Sequence, residues 1–377
     1  MTDFNEFVKS NSESLFKTLK ELCLIPAPSH NEEKRAEYCK AWLESIGAEG
    51  VYIDKALNVV FPVNIGENNE ITVFAAHLDT VFPDTEPMPY NEDGDKISCP
   101  GVGDDTASVC VLMMGAKYFI ENKISPDNGV LFVMNSCEEG LGNLKGTRQL
   151  FEDYKGRIKQ FITLDSSLSV IADRSVGSHR YNVSVKTPGG HSYGAFGNKN
   201  AIVELAKIAT KIYEIEVPKL ENSKTTYNVG NIEGGTSVNT IAESASMLCE
   251  YRSTHLECLN IMQENFEKIF SDANKEDVAV TVEKIGDRPC SDIDEHLQNE
   301  LAEKCRTVYK EVIGGEISFN SSSTDCNIPL SLGIPAVAVG VRNGEGIHTR
   351  GEWASKESII KGLEVFLKLS LTLTTEV

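Results

Sequence analysis

Long apolar runs are missing from this chain. Nowhere in its 377 residues do about 18 consecutive apolar residues occur, which is the length that a membrane-spanning helix needs. In the first residues, MTDFNEFVKSNSESLFK, polar residues break every apolar stretch, so we expect no signal-peptide core. The sequence therefore predicts a cytoplasmic protein with no membrane partner.

Paired cysteine motifs are missing as well. The chain has 10 cysteines but no C-x-x-C pair, and most of the cysteines lie within apolar helix or strand patterns. Zinc fingers and the disulfide frameworks of small secreted domains depend on closely spaced cysteines. We therefore expect reduced thiols in the core, in keeping with a cytoplasmic location.

Positive charge is scarce. The chain has 36 Lys and Arg residues against 56 Asp and Glu residues, and its net charge of −20 repels phosphate on average. We therefore expect no nucleic-acid partner. Hydrophobic residues make up 41% of the chain and charged residues 24%, as in a globular protein. A chain of 377 residues is too long to fold around one ordinary hydrophobic core, so we expect two domains.

Apolar runs with little alternation are separated by helical patterns through the first half of the chain. Such runs are typical of a parallel sheet that helices cover on both faces, because both sides of each strand are buried. The predicted strands are 58–63, 71–76, 129–134 and 161–164. The predicted helices are 14–24, 29–47 and 106–122, the second of which begins with a Ser29-x-x-Glu32 capping box.

A different order of elements begins near residue 177. From there the patterns predict strand 179–186, helix 199–215, strand 225–232, strand 244–251, helix 254–271 and strand 277–284. This βαββαβ order is that of a ferredoxin-like domain. The earlier pattern then resumes with helix 294–311, short helix 325–332, strand 335–339 and helix 355–369.

The predicted fold class is therefore α/β, with a mostly parallel sheet covered by helices and an inserted ferredoxin-like α+β domain. Residues 1–176 and 288–377 are expected to form one discontinuous domain, and residues 177–287 the insert. A chain that leaves one domain, completes another and returns is consistent with the change of pattern at both boundaries.

Two adjacent carboxylates follow one of the predicted strands in the sequence NSCEEG, residues 135–140. Glu138 and Glu139 come shortly after the apolar run GVLFVM. Successive side chains along a strand point to opposite faces, so the two acids are expected to have different targets. Taken alone, they fit a loop cap or the start of a helix equally well.

Acids and histidines also follow other predicted strands. An open α/β sheet binds ligands beyond the carboxyl ends of its strands, so residues placed there are candidates for a site. In chain order these residues are His77, Asp79, Asp104, Asp105, Glu138, Glu139, Asp165 and His348. Each one alone is explained by a helix cap, a turn or a hydrogen-bonded histidine. Gathered at one edge, their charges would repel unless a cation held them.

The types of these side chains indicate which cation they suit. Imidazole and carboxylate without thiolate favour Zn²⁺, Mn²⁺ or Co²⁺, whereas Mg²⁺ and Ca²⁺ prefer oxygen alone. Two histidines and three carboxylates are enough for two ions that share one carboxylate. In the sequence His77-x-Asp79 both side chains point the same way on an extended segment. Asp79 can therefore accept the second ring N–H of His77 and orient the imidazole.

The motifs HLD, PGVGDDTAS, CEEG, LDSS and GIHTRGEW, in this order around the insert, resemble those of the M20 family of zinc metallopeptidases. The resemblance implies two divalent metal ions, with zinc favoured and manganese or cobalt as alternatives. The ligands that it implies are His77 and Asp165 on one ion, Glu139 and His348 on the other, and Asp104 between them. Asp105 is the alternative to Asp104, because Thr106 stands where many members of the family have lysine.

The resemblance also implies catalytic and substrate-binding residues. Glu138 is expected to act as the general base on a metal-bridging hydroxide, with Asp79 in a supporting role. His191, in TPGGHSYGAFG, is expected to bind the oxyanion in its own active site or in that of a second subunit. Asn239 and Arg252 are expected to contact the substrate. An exposed loop histidine and a surface ion pair are the alternatives for His191 and Arg252.

We therefore expect a di-zinc hydrolase that cleaves the amide bonds of small peptides, with a peptidase T-like aminopeptidase for di- and tripeptides as the first hypothesis. An N-acyl-amino-acid deacylase or a carboxypeptidase of the same family is the alternative, since the same site cleaves both kinds of substrate. A catalytically dead binding protein is the hypothesis from another class. The resemblance also implies that the inserted domain is a lid and the surface of a homodimer, although some members of the family are monomers.

Overall fold

The computed structural model describes residues 3–67 and 69–375. The chain divides into two compact units, of which unit 1 comprises Met1–Ser175 and Asp292–Val377 and unit 2 comprises Val176–Ser291. Each unit has its own hydrophobic core. Within the described residues, no helix is both long enough and apolar enough to cross a membrane. All 10 cysteines are buried and free.

The strands are numbered here in chain order. They are β1 (Tyr52–Ile53), β2 (Val59–Val63), β3 (Ile71–His77), β4 (Asn91–Asp93), β5 (Lys96–Ser98), β6 (Gly129–Asn135), β7 (Ile158–Thr163), β8 (Val170–Ser175), β9 (Gly177–Lys186), β10 (Gly190–His191), β11 (Thr225–Gly234), β12 (Thr240–Ile241), β13 (Ser244–Ser253), β14 (Ala279–Arg288), β15 (Ser318–Ser322), β16 (Ala336–Val339), β17 (Gly344–Glu345) and β18 (Trp353–Ser355).

The helices are numbered in the same way. They are α1 (Phe4–Cys23), α2 (Glu33–Ser45), α3 (Ala107–Glu121), α4 (Lys145–Asp153), α5 (Ala201–Tyr213), α6 (Leu256–Ala273), α7 (Glu295–Ile313), α8 (Asn327–Ser331) and α9 (Lys356–Thr374). A short π-helical turn, Val102–Thr106, leads into α3. Helix α1 begins well before the predicted residue 14, because Phe7 and Val8 continue the buried stripe of Leu15 and Leu19.

The main sheet of unit 1 has eight strands in the order β1-β2-β6-β3-β7-β16-β8-β15. The β3 strand pairs in parallel with both β6 and β7, and β7 pairs in parallel with β16. Alternate residues of β3 belong to different core clusters, with Phe74 in one and Val73 and Ala75 in the other. Both faces of the sheet are therefore buried, and the predicted α/β fold with a mostly parallel sheet covered by helices is confirmed.

Several strands of unit 1 were not predicted from the sequence because they are polar or very short. The β15 strand, with the sequence SFNSS, lies at the edge of the main sheet and pairs with β8. A second sheet of unit 1 has the order β17-β18-β5-β4, and each of its strands has two or three residues. Short polar strands carry little apolar periodicity, which is the signal that sequence analysis uses.

The predicted capping box of the second helix is wrong. Helix α2 begins at Glu33, and no side chain caps its N-terminus. The hydroxyl of Ser29 donates to Oδ2 of Asp79 at 2.6 Å. Oε1 of Glu32 accepts the backbone N–H of Cys137 at 3.0 Å as well as that of the nearby His30. Tertiary partners therefore hold the two polar side chains in place of the local helix contacts that the motif suggests.

Unit 2 is built on an antiparallel sheet in the order β11-β13-β9-β14. Its elements follow in the order strand, helix, strand, strand, helix, strand, apart from the short β10 and β12. Tyr181, Val183 and Val185 alternate along β9 and pack in the same core as Leu205 and Phe266 of the two helices. This core gives unit 2 an interior of its own, independent of the core of unit 1.

Candidate metal centre

Parallel strands bring the candidate residues to one edge of the unit 1 sheet. The β3 strand lies between β6 and β7 and runs parallel to both, with His77 opposite Asn135. The chain therefore leaves all three strands at the same edge, and Asp79, Glu138 and Asp165 follow there. This is the position at which open α/β sheets bind ligands.

The carboxylate of Asp104 lies between the two predicted histidines. Its Oδ1 is 3.0 Å from Nε2 of His77, and its Oδ2 is 3.0 Å from Nε2 of His348. Oε1 of Glu139 also lies 3.0 Å from Nε2 of His348. Asp105 is turned elsewhere, since its Oδ2 accepts the backbone N–H of His77 at 3.2 Å. Of the two neighbouring aspartates, Asp104 is therefore the one whose carboxylate contacts both histidines.

Two groups of potential ligand atoms are compact enough to hold a metal ion. His77, Asp104 and Glu139 each offer one atom within 4.8 Å of the others, and so do His77, Glu138 and Asp165. The two groups share His77. The predicted ligands of both ions therefore meet in one place, and the predicted general base lies among them.

This set of donors fits divalent metal ions. Burial raises the pKa of Asp165 well above its usual range, and the charge of Asp104 raises it further. Carboxylates that crowd one another in this way favour a cation between them. The neighbouring Cys137 stays outside the set, since its Sγ lies 3.3 Å from both Nδ1 of His30 and Oε1 of Glu32. The remaining donors are imidazole nitrogen and carboxylate oxygen, which suit Zn²⁺, Mn²⁺ and Co²⁺.

Cys137 and the two adjacent glutamates lie in a turn and not in the strand. The β6 strand ends at Asn135, and Cys137 has a φ of 58°, which residues other than glycine rarely adopt. Cys137 is therefore buried in the turn beyond the end of β6. The turn, and not alternation along a strand, therefore sets the directions of Glu138 and Glu139, so the predicted cause of their different surroundings is wrong.

The carboxylate of Asp79 holds this turn in place. Its Oδ1 accepts the backbone N–H of Glu138 at 2.9 Å, and its Oδ2 accepts that of Glu139 at 3.0 Å. Towards His77 the closer contact is made by the main chain, because Nδ1 lies 2.9 Å from the carbonyl oxygen of Asp79 and 3.5 Å from its Oδ1. Asp79 thus contacts the ring nitrogen of His77 mainly through its backbone and orients both glutamates through its side chain.

Three residues that support the site were absent from the predicted set. Oε1 of Glu32 accepts the backbone N–H of Cys137 at 3.0 Å, and Ser29 donates to Asp79. Ser29 and Glu32 were instead interpreted as a helix cap, so their contacts at the site were not predicted. The third residue is Glu352, whose Oε1 accepts the backbone N–H of Asp104 at 2.9 Å. Its signal in the sequence was its place in the GIHTRGEW motif.

Hydrogen bonds and burial shift the pKa values of the central groups in a consistent way. Hydrogen bonds to Asp104 and Glu139 raise the pKa of His348 to about 10. Burial raises the pKa of Glu139 to about 7, although the hydrogen bond from His348 opposes this shift. Burial also acts to raise the pKa of Asp104, but the hydrogen bonds from His348 and His77 outweigh it and lower that pKa well below the usual range. Without a metal ion, Glu139 and His348 therefore retain their protons to unusually high pH, whereas Asp104 stays ionised.

Metal-free protein is expected to lose stability as the pH rises. Glu139 and His348 both bind protons more tightly in the folded chain, so their stabilisation is complete at low pH. For Glu139 it is lost as the pH rises from 4.5 to about 7, and for His348 as the pH rises from 6.5 to about 10. We expect the melting temperature of metal-free protein to fall between pH 6 and pH 8, as measured by differential scanning calorimetry.

A metal ion competes with these protons, so the same experiment should show a larger increase in melting temperature from Mn²⁺ or Zn²⁺ at pH 8 than at pH 6. The His348→Ala variant is the control, because it removes the group whose pKa is raised to about 10. Its metal-free profile should be flatter above pH 7. A wild-type melting temperature that rises with pH in the absence of metal would contradict the assigned shifts.

Two of the predicted residues of unit 2 lie in neighbouring segments. His191 pairs with Thr240 across β10 and β12, and the backbone N–H of Ser192 donates to the carbonyl oxygen of Asn239 at 2.9 Å. Nδ1 of His191 accepts the backbone N–H groups of Tyr193 and Gly194, both at 3.3 Å. A neutral imidazole that accepts at Nδ1 carries its proton on Nε2, where it can donate.

Arg252 lies on β13 of unit 2 and forms an ion pair with a neighbour on the same strand. Its Nε lies 2.8 Å from Oε1 of Glu250, and its Nη2 lies 3.0 Å from Oε2. The side chain of Arg252 is 36% exposed. The alternative that the sequence left open, a surface ion pair, therefore describes this contact, and the role of Arg252 in binding substrate stays a prediction.

Known proteins resemble this chain over almost its whole length. The model of Peptidase family M20/M25/M40 matches residues 73–372. Carboxypeptidase G2 of Pseudomonas sp. is 22% identical over 377 residues, covering 96% of this chain and 89% of that protein. The structure of aminopeptidase PepT from Bacillus cereus has a TM-score of 0.74 at 22% identity and covers 95% of this chain and 98% of that chain. A tripeptidase from Staphylococcus aureus has a TM-score of 0.75 at 22% identity and covers 95% and 97%.

At this identity the two solved structures establish the fold, while the family model spans most of the chain and establishes its membership. The predicted enzyme class, a hydrolase that acts on the C–N bonds of peptides, is thereby confirmed. The resemblance read from the five sequence motifs is confirmed as well, and this chain belongs to Peptidase family M20/M25/M40.

Proposed function

We propose that this chain is a di-metal aminopeptidase that cleaves di- and tripeptides. The observation that carries the proposal is the carboxylate of Asp104, whose two oxygens each lie 3.0 Å from a histidine nitrogen. A carboxylate that is shared by two imidazoles provides one oxygen for each of two adjacent ions. Asp165 lies beside His77, and Glu139 contacts His348, so each proposed ion has a further carboxylate of its own.

Zinc is the metal that we favour, with manganese and cobalt as alternatives, because all three accept imidazole and carboxylate together. The proposed ligands are His77, Asp104, Glu139, Asp165 and His348. When bound there, the two ions would polarise the scissile carbonyl and lower the pKa of a water molecule. The remaining steps of the reaction fall to side chains of this chain.

Glu138 is the proposed general base. Its side chain is buried among His77 and Asp165, and the carboxylate of Asp79 holds its backbone N–H. A carboxylate in this place can accept the proton of the attacking water and then deliver it to the departing amine. The turn that holds Glu138 also holds Glu139, so the proposed base and one proposed ligand are positioned by the same carboxylate of Asp79.

His191 is the proposed donor to the oxyanion. Because Nδ1 of its ring accepts two backbone N–H groups, Nε2 carries the proton that an oxyanion needs. Asn239 lies next to the His191 segment and is proposed to contact the substrate as well. Arg252 is proposed to bind a carboxylate, for which its planar pair of donors is suited. In that case substrate would compete with Glu250 for the guanidinium group.

The choice of an aminopeptidase follows from the relatives. An aminopeptidase and a tripeptidase share the fold of this chain over nearly its whole length. The similarity to carboxypeptidase G2 supports the second candidate, a carboxypeptidase or N-acyl-amino-acid deacylase. The same proposed metal centre serves both candidates, so the difference between them lies in which end of the substrate must be free.

A substrate panel with metal reconstitution tests the proposal. Metal-free full-length protein would be loaded with Zn²⁺, Mn²⁺ or Co²⁺, the bound metal counted, and kcat/KM measured on matched tripeptides with free and acetylated amines. We expect two ions per chain and a kcat/KM that is about 100-fold or more lower on the acetylated peptide, since a site that binds an amine leaves polar groups unpaired without it. Faster cleavage of the acetylated substrates would establish the second candidate, and a protein that binds no metal would refute both.

The inserted unit is also proposed to form a homodimer and to act as a lid, as the resemblance implies. The mass of the full-length protein in solution, measured by light scattering, tests this part by itself. If the protein is a monomer at micromolar concentration, the proposed homodimer is refuted, and the proposed metal centre is unaffected.

A further inference from the structure

A single buried carboxylate holds the loop that carries Asp104. Oε2 of Glu352 accepts the backbone N–H of Gly101 at 2.8 Å, and Oε1 accepts those of Gly103 at 2.8 Å and Asp104 at 2.9 Å. Glu352 is 1% exposed. Both oxygens are therefore in use, and three N–H groups within four residues of chain depend on one side chain.

The loop around Asp104 is shaped to receive this carboxylate. A Cβ atom added at Gly103 would lie 3.0 Å from Oε1 of Glu352 and 3.4 Å from Nε of Arg342, so a side chain at this position would crowd both contacts. Gly101 has a φ of 77°, in the left-handed region that favours glycine. Arg342 completes the loop from the other side, since its Nε donates to the carbonyl oxygen of Gly103 at 2.7 Å.

Glu352 also connects this loop to the second histidine. It follows His348 by four residues, and the intervening turn is closed by the backbone N–H of Glu352, which donates to the carbonyl oxygen of Thr349 at 3.3 Å. The imidazole of His348 lies 3.0 Å from Oδ2 of Asp104. Glu352 thus contacts the backbone of this loop, and His348 contacts the carboxylate of Asp104 in the same loop.

The ion pair of this turn lies at the surface. Arg350 pairs with the carboxylate of Asp84 through two nitrogens, at 2.9 and 2.7 Å, and both side chains are partly exposed. Exposed ion pairs contribute little to the placement of a loop because solvent screens them. Three hydrogen bonds to a buried carboxylate are a stronger constraint, since a buried N–H without a partner is costly.

We propose that Glu352 is a positioning residue that sets the carboxylate of Asp104 relative to His348 and thereby determines metal affinity. This inference rests on the proposed function, in which Asp104 and His348 are ligands. Glu352 itself contacts backbone N–H groups around the site. It acts by fixing the main chain on which the bridging carboxylate is carried.

The Glu352→Gln variant removes one acceptor oxygen without a change of size. Its amide NH₂ then faces the N–H of Gly101 or those of Gly103 and Asp104, and two donors cannot bond to each other. We expect the Kd for Mn²⁺ or Zn²⁺, measured by titration calorimetry on metal-free full-length protein, to increase about 10- to 100-fold, as for other residues that orient ligands. The fall in kcat should be partly reversed by raising the metal concentration, with little change in KM.

Glu345→Gln is the matched control, because Glu345 is exposed on the same segment and the substitution is identical. Its Kd for metal should stay within about twofold of wild type. A purely structural role for Glu352 would lower the melting temperature of the variant and leave its Kd for metal unchanged at a temperature where it is folded. That result would overturn the inference.

The Gly103→Ala variant tests the same proposal without changing the charge of Glu352. The added methyl group crowds Oε1, so a weaker metal affinity is expected here too, whereas Gly351→Ala should have no effect because its Cβ would meet only Oγ1 of Thr349 at 3.8 Å. The same titrations distinguish a failure of the proposed function from a failure of the role proposed for Glu352. If wild-type protein binds no metal, the proposed function fails; if wild type binds metal and both Glu352→Gln and Gly103→Ala bind it equally well, only the role of Glu352 fails.

Discussion

Replacing Glu138 with glutamine is expected to lower kcat by roughly 10²- to 10⁴-fold while both metal ions remain bound, because general-base catalysis is worth about that much. The amide keeps the shape of the side chain and cannot accept the proton of the attacking water. The measurement pairs kcat on a free-amine tripeptide with the metal content of the purified variant. The backbone contact of residue 138 with Asp79 is preserved, so the turn itself should be unchanged.

Glu139→Gln is the matched variant one residue along the chain. Glu139 lies 3.0 Å from Nε2 of His348 and belongs to the group of His77 and Asp104, so its replacement should weaken metal binding first and activity as a consequence. Glu138 also lies close to His77 and Asp165, so its carboxylate could itself bind a metal ion. Equal loss of metal in the two variants would show that Glu138 is a ligand as well and would refute the division of roles.

Replacing Asp104 with asparagine is expected to weaken the binding of both metal ions, by more than the 10- to 100-fold that is typical for residues acting through a ligand. One of the two oxygens becomes an NH₂ group, and this group then faces a histidine nitrogen at about 3.0 Å. Because each oxygen faces a different histidine, neither orientation of the amide can serve both. Metal content and titration calorimetry measure this loss directly.

Asp105→Asn is the control for this prediction. Asp105 is the next residue in the loop and has the same side chain as Asp104, but its Oδ2 accepts a backbone N–H from His77, which an amide oxygen can also accept. Burial raises the pKa of Asp105 to about 8, so its neutral form predominates near pH 7 and resembles asparagine. Metal affinity should therefore change by no more than about threefold. A larger loss in Asp105→Asn than in Asp104→Asn would show that the bridging residue has been wrongly chosen.

Much of this site could be anticipated from the sequence because the relevant signals are local. Strands such as 71–77 and 129–135 are mostly apolar, and a parallel sheet sends the ends of such strands to the same edge. The residues that follow them in the chain, among them His77, Asp165 and Glu139, must then lie close together. Their chemical types restrict the ligand to a transition-type divalent cation before any coordinates are considered.

Other features depended on contacts between residues far apart in the chain. The Ser29-x-x-Glu32 pattern is that of a helix cap, yet these side chains bind Asp79 and the turn at Cys137, about 50 and 105 residues away. A short motif predicts only hydrogen bonds between residues that are close in the chain. A buried carboxylate or N–H group from a distant segment can be the stronger partner for the same side chain. The turn at Cys137 was likewise not anticipated, because its positive φ accompanies hydrogen bonds that close the turn and that no local pattern announces.

By itself, the sequence of this protein determined the fold class, the family and the set of acids and histidines at the sheet edge, because apolar periodicity and motif order are properties of consecutive residues. Only the tertiary structure decided which of Asp104 and Asp105 lies between the two histidines, and which buried carboxylates hold the loops in place. These choices depend on the direction of single side chains. That direction is set by partners such as Glu352, which is about 250 residues from Asp104 in the chain and in hydrogen-bond contact with it in the folded protein.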